Sequence, residues 1–87
     1  MNILSIDKNK RETVIRFDSS ELVALCNAIH AETRKEKVKP IFWQLAYGIT
    51  IASNLSQYGH IDSFALGRLN LAYEKINEKS EEESDGI

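Results

Sequence analysis

The spacing of hydrophobic positions changes period along the chain and marks out its elements. Residues 2–7 carry Ile3, Leu4 and Ile6; residues 11–17 carry Thr13, Val14, Ile15 and Phe17. These β-branched and aromatic runs flank the polar stretch Asp7-Lys8-Asn9-Lys10, which predicts two strands joined as an antiparallel hairpin. Thr13, Ile15 and Phe17 then share one face, with Val14 and Arg16 on the other. A lone hairpin is marginal in water, so this one is expected to lie on the helices or to pair with another sheet.

From Asp18 the period becomes helical. Leu22, Leu25, Cys26, Ile29 and Thr33 fall on one face, while Ala24, Asn27, Ala28 and Ala31 make a small opposite face. Asp18 and Glu21 have capping-box spacing, and Phe17 and Leu22 are placed for a hydrophobic staple. The run Arg34-Lys35-Glu36-Lys37 is net positive and suits the helix C-terminus.

The next stretch, Pro40–Tyr58, contains no Lys, Arg, Asp or Glu, in a chain where such residues make up 28%. A charge-free helix is expected to be covered over most of its surface. It has two apolar faces. The broad one holds Ile41, Phe42, Leu45, Ala46, Gly48, Ile49, Ala52 and Leu55; the narrower one holds Trp43, Tyr47, Ile51 and Tyr58. That pattern predicts a central helix with helices 1 and 3 on the broad face and the hairpin over the aromatic stripe. Gly48 would permit a close crossing. Pro40 suits the first helical turn and Gly59 the C-cap.

Asp62 caps a third helix, with Ile61 and Leu66 in staple positions. Its inner face is Ala65, Leu66, Leu69, Ala72, Tyr73 and Ile76. The expected architecture is an α+β domain in the order β-β-α-α-α, an N-terminal antiparallel β-hairpin packed on a three-helix bundle. Residues 1–77 form this single domain. Residues 78–87 cannot bury anything and are expected to be a disordered acidic tail.

Eighty-seven residues leave no room for a second domain. The net charge of −2 hides a mildly basic body, +2 through Asn77, and a tail of −4. The single cysteine, Cys26, excludes an internal disulfide and fits a reducing cytoplasm. Met1–Asp7 has neither a basic start nor a long apolar run, so no signal peptide is expected. No membrane span is expected either, because Pro40–Tyr58 contains Gln44, Thr50, Ser53, Asn54, Ser56 and Gln57.

Candidate chemistry is sparse. Cys26 and His30 are one helical turn apart, as two metal ligands would be. No second pair has ligand spacing, and a structural zinc site needs four ligands, so no metal or cofactor is expected. No phosphate-cradling glycine loop is present. A cysteine on an apolar helix face lacks the exposed base-paired setting of a nucleophile. No enzyme is expected.

Contact surfaces are the stronger expectation. Phe64, Arg68, Leu71 and Lys75 form a stripe of large apolar residues and cations on the side of helix 3 away from its inner face. Aromatic residues and Arg are enriched where proteins meet. The competing reading is that the hairpin or another helix covers Phe64 and Leu71. The stripe predicts a small non-enzymatic interaction module, an inhibitor or regulatory subunit, docking on a larger protein through the outer face of helix 3. The hairpin edge offers unpaired backbone groups for the same purpose, or for forming a homodimer.

The alternative is a nucleic-acid-binding regulator using a basic end. If helix 1 packs back along strand 2, Arg34, Lys35, Lys37 and Lys39 join Lys8, Lys10 and Arg11 at the hairpin tip, with the tail screening them. Ordinary solvated charge is the plain reading of these residues. Helices 2 and 3 have the outline of a helix-turn-helix, but helix 3 offers a groove only Arg68, Asn70 and Lys75. With a pI of 5.6, few phosphates would be neutralised.

Overall fold

The computed structural model describes the backbone of residues 1–85 and the side chains of residues 1–78. The element order is β1 (Asn2–Asp7), β2 (Glu12–Arg16), α1 (Ser19–Thr33), α2 (Pro40–Tyr58) and α3 (Ser63–Asp85). Two antiparallel strands are followed by three helices, as expected. The anticipated tail, 78–87, falls almost entirely outside the residues described with side chains.

The helix boundaries follow from their caps. The Asp18 side chain accepts from the Glu21 N–H at 2.8 Å, and Glu21 Oε1 accepts from the Asp18 N–H at 3.0 Å, closing the capping box. Pro40 opens α2, where its missing N–H costs nothing, and Gly59 ends it at φ 74°, a left-handed conformation that glycine adopts without a Cβ clash. Asp62 Oδ1 accepts from the Ala65 N–H at 2.7 Å and starts α3.

The hairpin register contains an irregularity that sequence alternation alone does not predict. Ile3 pairs with Ile15, but Ser5 pairs with Val14 and Ile6 with Thr13, so Leu4 is an extra residue in β1. Such a bulge shifts the alternation by one residue. Ile3 and Ile6 therefore share a face with Ile15, and Asn2, Ser5 and Asp7 share the other with Arg16, Val14 and Glu12. The bulge gathers three isoleucines on one side.

That apolar face is not laid on the helices. No strand residue approaches a helix residue within 8 Å between Cα atoms among the described residues, and Ile3, Leu4, Ile6, Val14 and Ile15 are all exposed. The hairpin expected to cover the aromatic stripe of α2 stands clear of it instead. Only Phe17 and Asp18 connect β2 to α1, and the capping box fixes the chain direction at that junction. The Met1 ammonium also bonds Glu21 at 2.6 and 2.7 Å, holding the start of β1 beside the first turn of α1. With a projecting hairpin and a long α3, the radius of gyration is 14.7 Å, against about 12 Å for a compact chain of this length.

The three helices pack with α2 in the centre, touching α1 on one side and α3 on the other. The face α2 buries is not the expected one. Ala46, Thr50 and Ser53 are buried, whereas Ile41, Leu45, Ala52 and Leu55 are exposed. Close helix packing explains the choice. Axes about 8–10 Å apart favour small side chains at the contact, and Ala46, Thr50 and Ser53 recur at i, i+4 and i+7. Leu22 and Ile29 of α1, and Ala65, Leu69 and Ala72 of α3, complete a small core.

Candidate functional site

The buried face of α2 is partly polar, and its polar atoms are satisfied from α1 and from within α2 itself. His30 Nε2 lies 3.1 Å from Thr50 Oγ1, and Cys26 Sγ lies 3.9 Å from the same oxygen. Asn54 Nδ2 donates to the Thr50 carbonyl at 3.0 Å, and Gln57 Nε2 donates to Ser53 Oγ at 3.0 Å. Cys26 and His30 thus do share a face, and both meet a threonine hydroxyl on α2. Thr50 is only 2% exposed and His30 is buried with it, while Cys26 is half-buried at the edge of this interior. Among the described residues no buried side-chain polar atom lacks a partner, and no three metal-ligating side chains come together.

Burial and the positive charges of Arg68 and Arg34 push the His30 pKa below its ordinary value. His30 is therefore neutral in the fold and gains a proton more readily when unfolded. Stability is expected to be level above about pH 6.5 and to fall as pH drops below it, because the unfolded chain then binds the extra proton. Thermal melts on either side of pH 6.5 check this, and His30→Gln should flatten that limb. A separate acid limb comes from Glu21. Its pKa is lowered by the Asp18 N–H and then by the N-terminal ammonium, so its contribution is lost as pH falls below 4.5.

Above this interior, α1 and α3 diverge and leave a cleft. Its floor is Thr50, Ser53 and Gln57, one wall is Val23, Cys26 and Asn27, and the other includes Phe64, Ala65 and Arg68. At about 190 Å³ it is smaller than the roughly 300–1,000 Å³ of small-molecule sites. It fits a side chain better than a cofactor.

The stripe from Phe64 to Lys75 borders this side of the molecule. Phe64 is 72% and Leu71 47% exposed, so neither is covered by the hairpin or by another helix. The Arg68 guanidinium carbon sits 4.6 Å from the centre of the Phe64 ring, a cation–π geometry that orders both side chains. Lys75 reaches Glu78 at 3.9 Å and also lines a hollow with Thr33 and Trp43. All four residues lie on one flank of α3, and Phe64 and Arg68 at its start line the cleft. The true back of that helix is Ser63, Gly67, Asn70 and Glu74, at the helical positions opposite buried Ala65, Leu69 and Ala72.

The packing expected to gather the basic residues is not made. Because α1 does not pack back along β2, the contact that would bring its C-terminus to the hairpin tip is missing. Lys8, Lys10 and Arg11 belong to the tip, with Arg11 in a left-handed conformation at φ 56°. Lys35, Lys37 and Lys39 rim a separate hollow with Ile29, Val38 and Phe42, where Lys35 is already bonded to Glu32 at 2.9 Å. Arg34 caps α1 and faces toward His30 as a charge.

With the geometry established, comparison with known proteins adds nothing to it: no family model, curated protein or solved structure matches the chain. Among the described residues, no helix is long and apolar enough to cross a membrane.

Proposed function

We propose that this chain is a non-enzymatic protein-interaction module, an inhibitor or regulatory subunit that docks on a larger protein partner. One observation carries the reading: Phe64 is the most exposed large apolar side chain of the described residues, and Arg68 is stacked on it at the mouth of a cleft. Leaving a phenylalanine in water forgoes about 1.5–3 kcal/mol of burial, and a large apolar group fixed by an adjacent Arg is typical of interface anchors. The partner covers Phe64 and Leu71 and inserts a side chain into the cleft between α1 and α3. The projecting hairpin supplies a second contact, through its isoleucine face or by accepting a strand along an edge.

Capture on the immobilised chain tests the reading. A protein retained by the wild type and lost from Phe64→Asp supports it. Retention by both forms, or by neither, removes the carrying observation. A nucleic-acid role has less behind it, since α1 does not pack along β2 as a joint basic end requires.

A further inference from the structure

Among the described residues no helix or strand buries the bulky apolar face of α2. Ile41, Leu45, Gly48, Ala52 and Leu55 run along the side of the helix turned away from buried Ala46, Thr50 and Ser53 and are all exposed. Their spacing is four, three, four and three residues, the alternation that lines up one seam of a coiled coil. From Ile41 to Leu55 the seam runs about 21 Å at 1.5 Å per residue. Tyr47, next to Gly48, is in ring contact with Tyr73 of α3 at 6.3 Å between centroids, and Leu66 shares the flank of Tyr73 two turns earlier. Ile41, Leu45, Leu55, Leu66 and Tyr73 are between 39% and 57% exposed.

The seam is centred on Gly48, and its large residues are at its two ends. This is the arrangement a two-fold axis requires, because an isologous interface must complement itself. Two copies of α2 crossing antiparallel at Gly48 set Ile41 of one protomer against Leu55 of its partner. Leu45 of one then meets Ala52 of the other, so large residues face small ones near the middle. Gly48 itself has no role inside one chain. A Cβ built on it meets nothing within 4 Å, yet a mid-helix glycine costs about 1 kcal/mol relative to alanine. A close approach of two helix axes at the two-fold gives that glycine a reason.

Charge and area agree. With no Lys, Arg, Asp or Glu between Pro40 and Tyr58, an antiparallel pairing brings no like charges together and buries no unpaired ion. Five half-exposed large side chains present on the order of 500 Å² of apolar surface, at the upper end of what a monomer leaves open. With a polar rim this approaches the roughly 800 Å² per partner of a standard interface.

We infer that a second copy of this chain covers the outer face of α2, packed antiparallel about a two-fold axis at Gly48. The dimer leaves the Phe64 cleft and the hairpin on surfaces of their own, so it stands or falls apart from the partner-docking reading.

Light scattering on the full chain tests it. The wild type is expected at twice the 9.9 kDa chain mass, and Gly48→Glu at the single-chain mass with unchanged helical circular dichroism. Glutamate is the better helix former, so the substitution harms only the crossing. A wild type at the single-chain mass at every concentration, or a Gly48→Glu protein that remains dimeric, overturns the inference. Should Gly48→Glu lose its helical signal, disulfide crosslinking in a Cys26→Ser background decides. Gly48→Cys is expected to crosslink to itself, and Ile41→Cys to Leu55→Cys when the two are mixed. Crosslinking of Ile41→Cys to itself, or none with Gly48→Cys, overturns the antiparallel two-fold.

Discussion

Leu69→Ala is expected to lower the unfolding free energy by about 2–4 kcal/mol, the range for large-to-alanine changes in a packed core. Leu69 is 7% exposed and belongs to the face of α3 that meets α2. Among the described residues it is one of two buried leucines, and the other buried apolar side chains are Ile29 and alanines. The neighbours on α3, Ala65 and Ala72, have no atoms with which to refill the space, so the cavity is expected to persist. A domain of this size has about 5–10 kcal/mol in total, and each kcal/mol shifts the midpoint by about 4–8 °C. The melting temperature should therefore fall by at least about 8 °C. Denaturation at fixed protein concentration measures it, since self-association would add a concentration-dependent term. A change under about 1 kcal/mol would mean that α3 is not held to α2 through this face.

Phe64→Asp, one turn and a half earlier on the same helix, is expected to do the reverse. Phe64 is 72% exposed and its ring contacts Arg68 from the same helix, so its replacement should change stability by no more than about 0.5 kcal/mol. Partner binding should weaken by about 30-fold or more, corresponding to the roughly 2 kcal/mol threshold of an interface anchor. Leu71→Asp, also on this flank, should behave alike. Because both effects are read on one helix, the pair separates core from surface without reference to the hairpin. A large stability loss in Phe64→Asp would place that ring in the core and remove the docking surface.

The elements were legible in the sequence because they are local. Asp18 with Glu21, Pro40, Gly59 and Asp62 marked helix ends that the hydrogen bonds realise, and the polar run from Asp7 to Lys10 marked the hairpin turn. The inner face of α1 was equally clear from Leu22 and Ile29. The face that α2 would bury was not legible, since periodicity finds apolar faces but does not say which one meets a neighbour. Ala46, Thr50 and Ser53 were chosen by packing distance, and the hydroxyls of Thr50 and Ser53 disguised them as boundary residues. Their spacing at i, i+4 and i+7 was the available signal. The bulge at Leu4 depends on pairing with β2, and the hairpin's stance depends on tertiary contacts it does not make. Of the candidate site, the stripe of Phe64, Arg68, Leu71 and Lys75 followed from its spacing, but its place on a flank beside the buried face rather than on the back of α3 did not. The cleft beside them required knowing that α1 and α3 splay over α2.

The common thread is that this chain keeps much of its apolar surface outside its own core: the isoleucine face of the hairpin, the seam of α2 and the Phe64 flank. Amide hydrogen exchange of the isolated protein tests that most directly at the hairpin, which has no helix to protect it. The amides of Ile3, Ile6, Thr13 and Ile15 are expected to exchange far faster than those of α2 around Thr50. Equal protection of the two sets would contradict the account, because the hairpin would then belong to the packed core rather than to a surface awaiting a partner.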